Sequence, residues 1–254
     1  MALEAGYRLL DTAAVYENET EVGTAIRESG VPREEIFLTS KVWKDRLGYE
    51  ATKKSFEESL ERLQTDYLDL FLIHWPKPDP DSKDWKELDR GSWAAMEEFY
   101  HQGKVKAIGL SNFLPHHIEA LLETAKVRPM VNQLELHVGY MQELAVQYCK
   151  SQHIQVQAWS PLGRRRVLEE PLVAKMAEKY GLTPAQFLLT FLLEQGIGVI
   201  PKASSMERLK QNLELPDVQI AEEDLYLLRC LPQIGWGGEH PDLPRVQEQK
   251  GLGV

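Results

Sequence analysis

The chain has 254 residues, of which 43% are hydrophobic and 27% charged, and 39 acidic against 29 basic residues give a net charge of -10 at pH 7. This length suits one domain with one sizeable core, and the negative charge disfavours nucleic acid or an anionic membrane as a main partner. A charged N-terminal region followed by a long apolar stretch is missing, and no apolar run reaches 18 residues. The sequence therefore predicts a cytoplasmic protein without a signal peptide or a membrane span.

Short apolar runs alternate with segments of helical periodicity along the chain. The runs lie near residues 8–11, 36–40, 68–73, 104–109, 130–135, 154–159 and 197–200. Between them apolar residues recur at helical spacing, as Phe56, Leu60 and Leu63 do. Thr183 followed by Pro184 indicates a helix start, because proline at the first helical position loses no hydrogen bond. Strict alternation of strand and helix predicts an α/β protein with a parallel sheet.

The cysteines and the paired histidines give no indication of a metal site. Cys149 and Cys230 both lie in amphipathic helical segments, so we expect buried free thiols and neither a disulfide framework nor a zinc site. His116 and His117 are neighbours on a predicted helix and should point in different directions, which predicts surface residues that do not share a metal. Residues 77–90 are rich in charge and proline and are expected to form a solvated loop.

Four polar residues stand at or just beyond the ends of the first three apolar runs. Asp11, Lys41 and His74 close these runs, and Tyr16 follows Asp11 by five residues. The carboxyl ends of the strands of a parallel barrel share one rim, so these side chains can meet there. Each residue alone would more often be an ordinary solvated rim residue.

The combination of an acid, a phenol, an ammonium and an imidazole favours proton donation to a carbonyl oxygen. A tyrosine hydroxyl with a pKa near 10 is a weak acid at pH 7, and a lysine ammonium beside it favours the anionic form. Asp11 would hold Lys41 charged. His74, neutral and fixed through one ring nitrogen, would orient a substrate carbonyl with the other. No metal is required.

The same segments carry short sequence motifs whose order and spacing are those of a known protein family. They are GYRLLDTA at 6–13 with Tyr16, Asn18 and Glu19, SKVW at 40–43, LIHWP at 72–76, GLSNF at 109–113, NQ at 132–133, WSPLG at 159–163 and IPK at 200–202. From residue 2 to about 244 the chain resembles the aldo-keto reductase family, in its bacterial 2,5-diketo-gluconate and glyoxal reductase-like branch. The resemblance implies a TIM (β/α)8-type barrel that reduces carbonyls with NADPH, with Asp11, Tyr16, Lys41 and His74 as the catalytic residues.

Seven predicted strands are one short of a closed barrel of eight. The resemblance places the start of the chain at the end of the family's first barrel helix, which implies that the first strand and most of the first helix are missing. Such a loss removes roughly four buried apolar side chains at about 2 kcal/mol each and opens two sheet edges. We therefore expect a shortened form of a longer parent, built as one barrel domain over residues 1–254. Its tail, from about residue 232 to 254, is expected to fold over the barrel top.

A phosphate site is predicted near the end of the chain, since the glycine-rich dinucleotide fingerprint GxGxxG is missing. The strand at 197–200 is followed by Lys202, and Ser204 and Ser205 precede a helix that carries Arg208. Barrels commonly bind phosphate after their last two strands, at a helix start. The alternative is an ordinary capped surface helix.

The resemblance assigns these residues to the cofactor. It implies that Lys202 and Arg208 hold the 2′-phosphate of NADPH, with Gln211 and Asn212 at the adenine. The family usually has Ser or Thr after the lysine, where this chain has Ala203, so one hydroxyl contact is lost unless Ser204 or Ser205 supplies it. NADP is still expected over NAD, because two cations remain beside a dianion.

For the rest of the dinucleotide, the resemblance implies contacts by residues from the middle of the chain. Ser111, Asn112 and Gln133 are similar to residues that bind the nicotinamide carboxamide, and Trp159 to the ring that stacks on the pyridine. Ser160 and Leu162 are expected beside the pyrophosphate and Thr12 at the cofactor. Val15, Trp43 and Trp75 are interpreted as apolar walls of the substrate pocket. Arg164, Arg165 and Arg166 fit an exposed basic loop better than a lid over the phosphates.

The main functional hypothesis is an NADPH-dependent reductase of small aldehydes, ketones or dicarbonyls, a monomer as expected for the family. Two alternatives stay open. One is an NADPH-binding regulatory subunit without turnover, and the other is an inactive shortened chain, stabilised by oligomers that cover its open edges. A hydrolase is unsupported, because no GxSxG motif is present.

Overall fold

The seven apolar runs form seven parallel strands, whose order in the sheet is their order in the chain. The computed structural model describes residues 1–243. The strands are β1 (Leu9–Asp11), β2 (Phe37–Val42), β3 (Leu68–Ile73), β4 (Val105–Ser111), β5 (Val131–Glu135), β6 (Gln155–Trp159) and β7 (Gly198–Ile200). Each strand pairs with the next, and within residues 1–243 no ladder joins β1 to β7. The sheet is therefore a nearly closed barrel of the TIM type, and the predicted fold class is confirmed.

Helices follow the strands and cover the outside of the sheet. They are α1 (Glu19–Glu28), α2 (Tyr49–Leu63), α3 (Trp85–His101), α4 (Pro115–Leu122), α5 (Glu143–Ser151), α6 (Pro171–Lys179), α7 (Pro184–Leu193), α8 (Met206–Leu213) and α9 (Glu222–Arg229). None of the helices within residues 1–243 combines the length and the apolar surface that a bilayer span requires.

The core between sheet and helices is built from the predicted apolar stripes. Phe56 of α2 packs on Phe71 of β3 and Phe99 of α3, with ring centroids 4.9 and 4.1 Å apart. All three rings are fully or almost fully buried. Thr183 caps α7 by accepting a hydrogen bond from the Gln186 N–H at 3.2 Å, which confirms the predicted helix start.

The strand boundaries differ from the prediction where polar residues continue a strand. β2 extends two residues past its predicted end, so Lys41 lies inside the strand, paired with Leu72 of β3. β4 likewise extends to Ser111. An apolar run in the sequence marks only the part of a strand whose side chains lie in apolar surroundings. The backbone hydrogen bonds of the strand continue through polar residues that face the barrel interior.

The prediction that both cysteines are buried is correct for Cys149 and wrong for Cys230. Both are free thiols, but Cys230 is exposed. It caps the C-terminus of α9, where the helix ends and its side chain is no longer held on the buried stripe.

The prediction that His116 and His117 are surface residues is correct for His116, which is exposed, and wrong for His117. The prediction that the two side chains point apart is wrong. His117 is fully buried, and the Nε2 atoms of both rings lie 3.0 Å from the same Asp242 carboxylate oxygen. The Nδ1 atom of His117 accepts the backbone N–H of Leu114 at 3.1 Å, which turns the ring back along the helix. Its partner Asp242 comes from a distant segment, so the spacing of the two histidines alone could not reveal the contact.

The protonation of the cluster of His116, His117 and Asp242 favours hydrogen bonding over metal binding. Its three ligand atoms lie within 4.8 Å of one another. Burial, with the neighbouring His116, lowers the pKa of His117 to about 3, so the ring is neutral at pH 7 and carries one proton. Since Nδ1 accepts a backbone N–H, that proton is on Nε2, whereas a metal ligand must present a bare nitrogen.

The described part of the C-terminal tail, residues 232–243, lies across the carboxyl ends of the central strands. The Gly237 N–H donates to the Glu135 carboxylate at the end of β5 at 2.8 Å. Asp242 binds the two histidines at the start of α4, and its backbone oxygen accepts from Lys77 at 3.4 Å. The tail therefore borders the mouth of the barrel, and residues 244–254 of the predicted tail lie outside the described residues.

Asp89 of α3 is a buried acid that is expected to lower the free energy of unfolding. It is 1% exposed, and neither carboxylate oxygen has a hydrogen-bond partner among the described residues. Burial raises its pKa well above the usual 3.8. Because the folded state holds this proton more tightly, the free energy of unfolding falls as pH rises from about 4 through the folded-state pKa, and it stays lower above that pKa.

We expect Asp89→Asn to raise the free energy of unfolding at pH 7 by about 1–3 kcal/mol, because the variant removes the acid whose easier ionisation in the unfolded state favours unfolding, and keeps the shape. The gain should vanish near pH 3, where both states of the wild type are protonated. Urea denaturation of both proteins between pH 3 and 8 measures the difference, with Asp66→Asn at an exposed loop position as the control. Parallel pH profiles for wild type and Asp89→Asn would contradict the prediction.

Candidate active site

A cavity of about 1000 Å³ opens at the carboxyl ends of the strands. It reaches from the edge strands β1 and β7 to the loops after β2 and β3. The predicted residues on its wall are Asp11, Val15, Tyr16, Trp43, His74, Trp75, Asn112, Gln133, Trp159, Ser160 and Lys202. Residues separated by up to 191 positions in the chain thus share one cavity, as expected of strand ends on one barrel rim.

Lys41 and Asp11 form a buried ion pair at the base of this cavity. Asp11 pairs with Thr39 in the β1–β2 ladder, and Lys41 follows two residues later on the same face of the sheet. The Lys41 ammonium donates to Asp11 Oδ1 and, at 3.0 Å, to the backbone oxygen of Thr12. Gln133 donates to the second Asp11 oxygen at 2.9 Å. Both carboxylate oxygens are therefore engaged, and the pair is held in one orientation.

Tyr16 lies beside this pair at the end of a single 3-10 turn that follows β1, Ala14–Tyr16. The Lys41 Nζ atom is 5.3 Å from the centroid of the phenol ring. Burial raises the pKa of Tyr16, Lys41 lowers it, and Asp11 raises it again, so that the net direction is upward. The sequence predicted a net decrease. Lys41 acts in the predicted direction, but the removal of water from the hydroxyl outweighs it.

His74 directly follows β3 and is 7% exposed. Burial, with the charge of Lys41 second, lowers its pKa well below 6.5, so the imidazole is neutral at pH 7 as predicted. Its ring meets the rings of Tyr16 and Trp43 edge to face, with centroids 5.6 and 5.0 Å away. The expected hydrogen bond from the protein to a ring nitrogen is not present at Nδ1, which is buried and has no partner among the described residues. Aromatic packing holds the ring instead.

A polar wall connects the ends of β3 to β6. Asn112 has a φ of 63°, a left-handed conformation that asparagine tolerates, and its amide donates to the His74 backbone oxygen at 3.0 Å. Trp159 donates from its ring nitrogen to the Asn112 side-chain oxygen at 2.9 Å. Ser111 is buried behind this wall, and its hydroxyl donates to the Gln133 backbone oxygen at 3.0 Å. The amides are therefore fixed before any ligand enters.

The opposite end of the cavity is formed by the segment after β7. Lys202 and Ala203 line it, together with Leu209 of α8. Ser205 caps this helix by accepting the Arg208 N–H at 3.4 Å. A cation and a helix start thus lie together, as predicted for a phosphate site.

Some predicted residues lie behind the wall or beside the cavity. They are Thr12, Lys41, Ser111, Leu162, Ser204, Arg208, Gln211 and Asn212. Thr12 is buried and donates to the Asn18 side chain at 2.7 Å. Ser204 and Arg208 are exposed, next to Lys202 and Leu209 along the chain. The members of this group after β7 therefore flank the cavity and do not face into it.

Sequence reasoning missed two charged residues on the wall, Lys44 and Glu239, and interpreted a third, Arg164, as part of an exposed loop. Lys44 follows the predicted pocket residue Trp43, and this position was the only indication in the sequence that Lys44 lines the cavity. The Arg164 guanidinium lies 5.7 Å from the centroid of the Trp159 ring, so the interpretation of residues 164–166 as a plain exposed loop omits this contact. Glu239 belongs to the tail, whose course over the mouth leaves no periodic pattern in the sequence.

The donors on the wall fit a ligand that carries an amide at one end and a phosphate at the other. Asn112 and Gln133 present amides and Trp159 an aromatic ring near His74, whereas Lys202 presents a cation at the far end. The Asn112 oxygen already accepts from Trp159, but a carbonyl oxygen has a second lone pair. The residues present therefore fit a nicotinamide dinucleotide.

Comparison with known proteins agrees with this geometry. Residues 1–230 match the sequence model of the Aldo/keto reductase family. The chain is 45% identical over 241 residues to glyoxal reductase of Bacillus subtilis (strain 168), covering 95% of this chain and 84% of the relative. The structure is similar to MGS-M4, an aldo-keto reductase enzyme from a Medee basin deep-sea metagenome library, with a TM-score of 0.85, 43% identity and coverage of 91% and 84% of the two chains. It is also similar to the Bombyx mori aldo-keto reductase AKR2E4 in complex with NADP, with a TM-score of 0.82, 36% identity and coverage of 90% and 79%.

Proposed function

Since the chain belongs to the aldo/keto reductase family, we propose that it reduces the carbonyl group of small aldehydes, ketones or dicarbonyls with NADPH. The observation that carries this proposal is the buried Asp11–Lys41 pair beside the phenol of Tyr16, with neutral His74 in the same cavity. The name of the Bacillus subtilis relative, glyoxal reductase, supports a small dicarbonyl substrate.

The residues proposed to hold NADPH are those assigned from the resemblance. Lys202 and Arg208 bind the 2′-phosphate, Ser204 assists them, and Gln211 and Asn212 contact the adenine. Ser160 and Leu162 lie along the pyrophosphate. At the reacting end the contacts come from Thr12, Ser111, Asn112, Gln133 and the ring of Trp159. When bound, NADPH supplies the hydride that goes to the carbonyl carbon.

Tyr16 is the proposed general acid. Its hydroxyl proton passes to the carbonyl oxygen, so that the substrate gains one hydride and one proton and becomes an alcohol. The Lys41 ammonium stabilises the phenolate that remains, and Asp11 and Gln133 keep that ammonium in place. Solvent returns a proton to Tyr16 after the step.

His74 and the apolar walls orient the substrate. A neutral imidazole carries one N–H, which donates to the carbonyl oxygen and leaves the oxygen within reach of Tyr16. His74 lies on the cavity wall beside Tyr16, with ring centroids 5.6 Å apart, so one carbonyl oxygen can be near both side chains. Trp43, Trp75 and Val15 exclude water from the reacting atoms.

Two assays of the purified chain separate this proposal from the two alternatives. Oxidation of NADPH with methylglyoxal or 4-nitrobenzaldehyde measures turnover, and fluorescence titration with NADPH measures binding. Turnover with saturable binding supports the reductase. Binding without turnover indicates a regulatory subunit, and the loss of both indicates an inactive chain.

NADPH is expected to be preferred over NADH. Lys202 and Arg208 can oppose the 2′-phosphate, which NADH lacks, so we expect kcat/KM for NADPH to be about tenfold or more higher. Lys202→Met should remove most of that preference by lowering kcat/KM for NADPH alone. Steady-state kinetics with both cofactors measure it, and Lys210→Met, at an exposed lysine of α8, is the control. Equal kcat/KM values in the wild type would contradict the assignment.

A further inference from the structure

Two charged residues at the substrate end of the cavity have no part in the proton transfer just described. They are Lys44, in the 3-10 turn after β2, and Glu239, in the C-terminal tail. Both line the same cavity as Tyr16 and His74. Their charges must affect which substrates enter, because a charge in a confined cavity acts more strongly than one in water.

Lys44 is held close to the reacting groups by its aromatic neighbour. It is 7% exposed, and its Nζ atom lies 5.6 Å from the centroid of the Trp43 ring. The same indole lies 5.0 Å from the ring of His74. The Trp43 indole thus contacts both the ammonium and the imidazole. A buried cation is costly unless an anion or a polar partner compensates it.

Glu239 lies on the wall of the same cavity as Lys44, in a part of the tail that is held by contacts on both sides. On its N-terminal side the Gly237 N–H binds Glu135, and on its C-terminal side Asp242 binds His116 and His117. Burial lowers the pKa of Lys44, and Glu239 opposes this ahead of Asp79 and Asp45. Within residues 1–243, Glu239 is thus the acidic group that acts most strongly on the Lys44 ammonium.

We propose that Lys44 recognises an anionic group, such as a carboxylate, on a carbonyl substrate, and that Glu239 weakens this recognition by competing for the same cation. This inference rests on the proposed function, because the carbonyl end of the substrate is placed at Tyr16 and His74. An anion that approaches a protein of net charge -10 is repelled overall, so its acceptance requires a local cation. The substrate class is a carbonyl compound that also carries a carboxylate, with both groups inside the one cavity that Tyr16, His74 and Lys44 line.

The test uses 4-carboxybenzaldehyde and 4-nitrobenzaldehyde, which have nearly the same shape and differ by one negative charge. The readout is the ratio of kcat/KM for the carboxylate to kcat/KM for the nitro compound. Lys44→Met should lower the ratio by about tenfold. Glu239→Gln should raise it, because the cation loses its competitor. Lys54→Met removes the same charge from the exposed face of α2 and should leave the ratio unchanged.

Binding measured without turnover gives a second readout. Isothermal titration of both aldehydes into the NADP⁺-saturated protein should show the same changes in affinity ratio, and the protein alone is titrated if NADP⁺ does not bind. A wild type that turns over neither these two aldehydes nor methylglyoxal overturns the proposed function, and this titration then decides the role of Lys44. If thermal melting shows that Lys44→Met does not fold, Glu239→Gln decides. An unchanged ratio in the folded variants overturns the proposal.

Discussion

Tyr16→Phe is expected to lower kcat by about 10²- to 10⁴-fold and to leave the affinity for NADPH nearly unchanged. The variant removes one oxygen, and with it the only proton that the phenol can give to a carbonyl oxygen. The ring stays, so its edge-to-face packing on His74, with centroids 5.6 Å apart, is retained. Steady-state reduction of methylglyoxal measures the loss, and fluorescence titration measures cofactor binding.

Tyr226→Phe, at an exposed position of α9, is the control for this substitution. The wild-type rate should also stay constant through neutral pH and fall only in strongly alkaline solution. Burial raises the pKa of Tyr16 above 10.0, so the phenol keeps its proton until the pH exceeds that value. A Tyr16→Phe variant with full activity would show that another group donates the proton.

The four proposed catalytic residues could be found from the sequence because the barrel converts position in the chain into position in space. A polar residue at the end of an apolar run lies at the carboxyl end of a strand, and these ends meet at one rim. Asp11 and His74 lie there as expected. Lys41 lies inside β2, since its pairing with Leu72 continues the strand. The side chain still reaches the rim, because it is long and turns toward Asp11.

The residues that the sequence did not reveal are positioned by contacts between distant segments. Glu239 faces the cavity only because the tail is fastened through Asp242 to two histidines of α4. That fastening depends on a backbone N–H that turns the ring of His117 inward, and residue spacing does not encode such a contact. The net direction of the shift in the Tyr16 pKa could not be predicted from the sequence either, because it depends on how far the folded chain buries the phenol.

Lys41→Met is expected to have the second large effect, on both stability and activity. The substitution leaves the Asp11 carboxylate, whose side chain is 8% exposed, without its cation. Breaking a buried ion pair from one side costs about 3–5 kcal/mol in the free energy of unfolding. Chemical denaturation measures this loss. Lys53→Met breaks the partly exposed Lys53–Glu98 pair and should change stability little.

The double variant Asp11→Asn/Lys41→Met separates the structural role of the pair from its chemical role. Removing both charges takes away the uncompensated carboxylate, so most of the lost stability should return. The phenolate that forms when Tyr16 gives up its proton would still lack a neighbouring cation, so the rate of carbonyl reduction should stay low. If activity instead recovered together with stability, Lys41 would act only by holding the end of β2 against β1. Low activity in a stable double variant would place its role in the proton transfer itself.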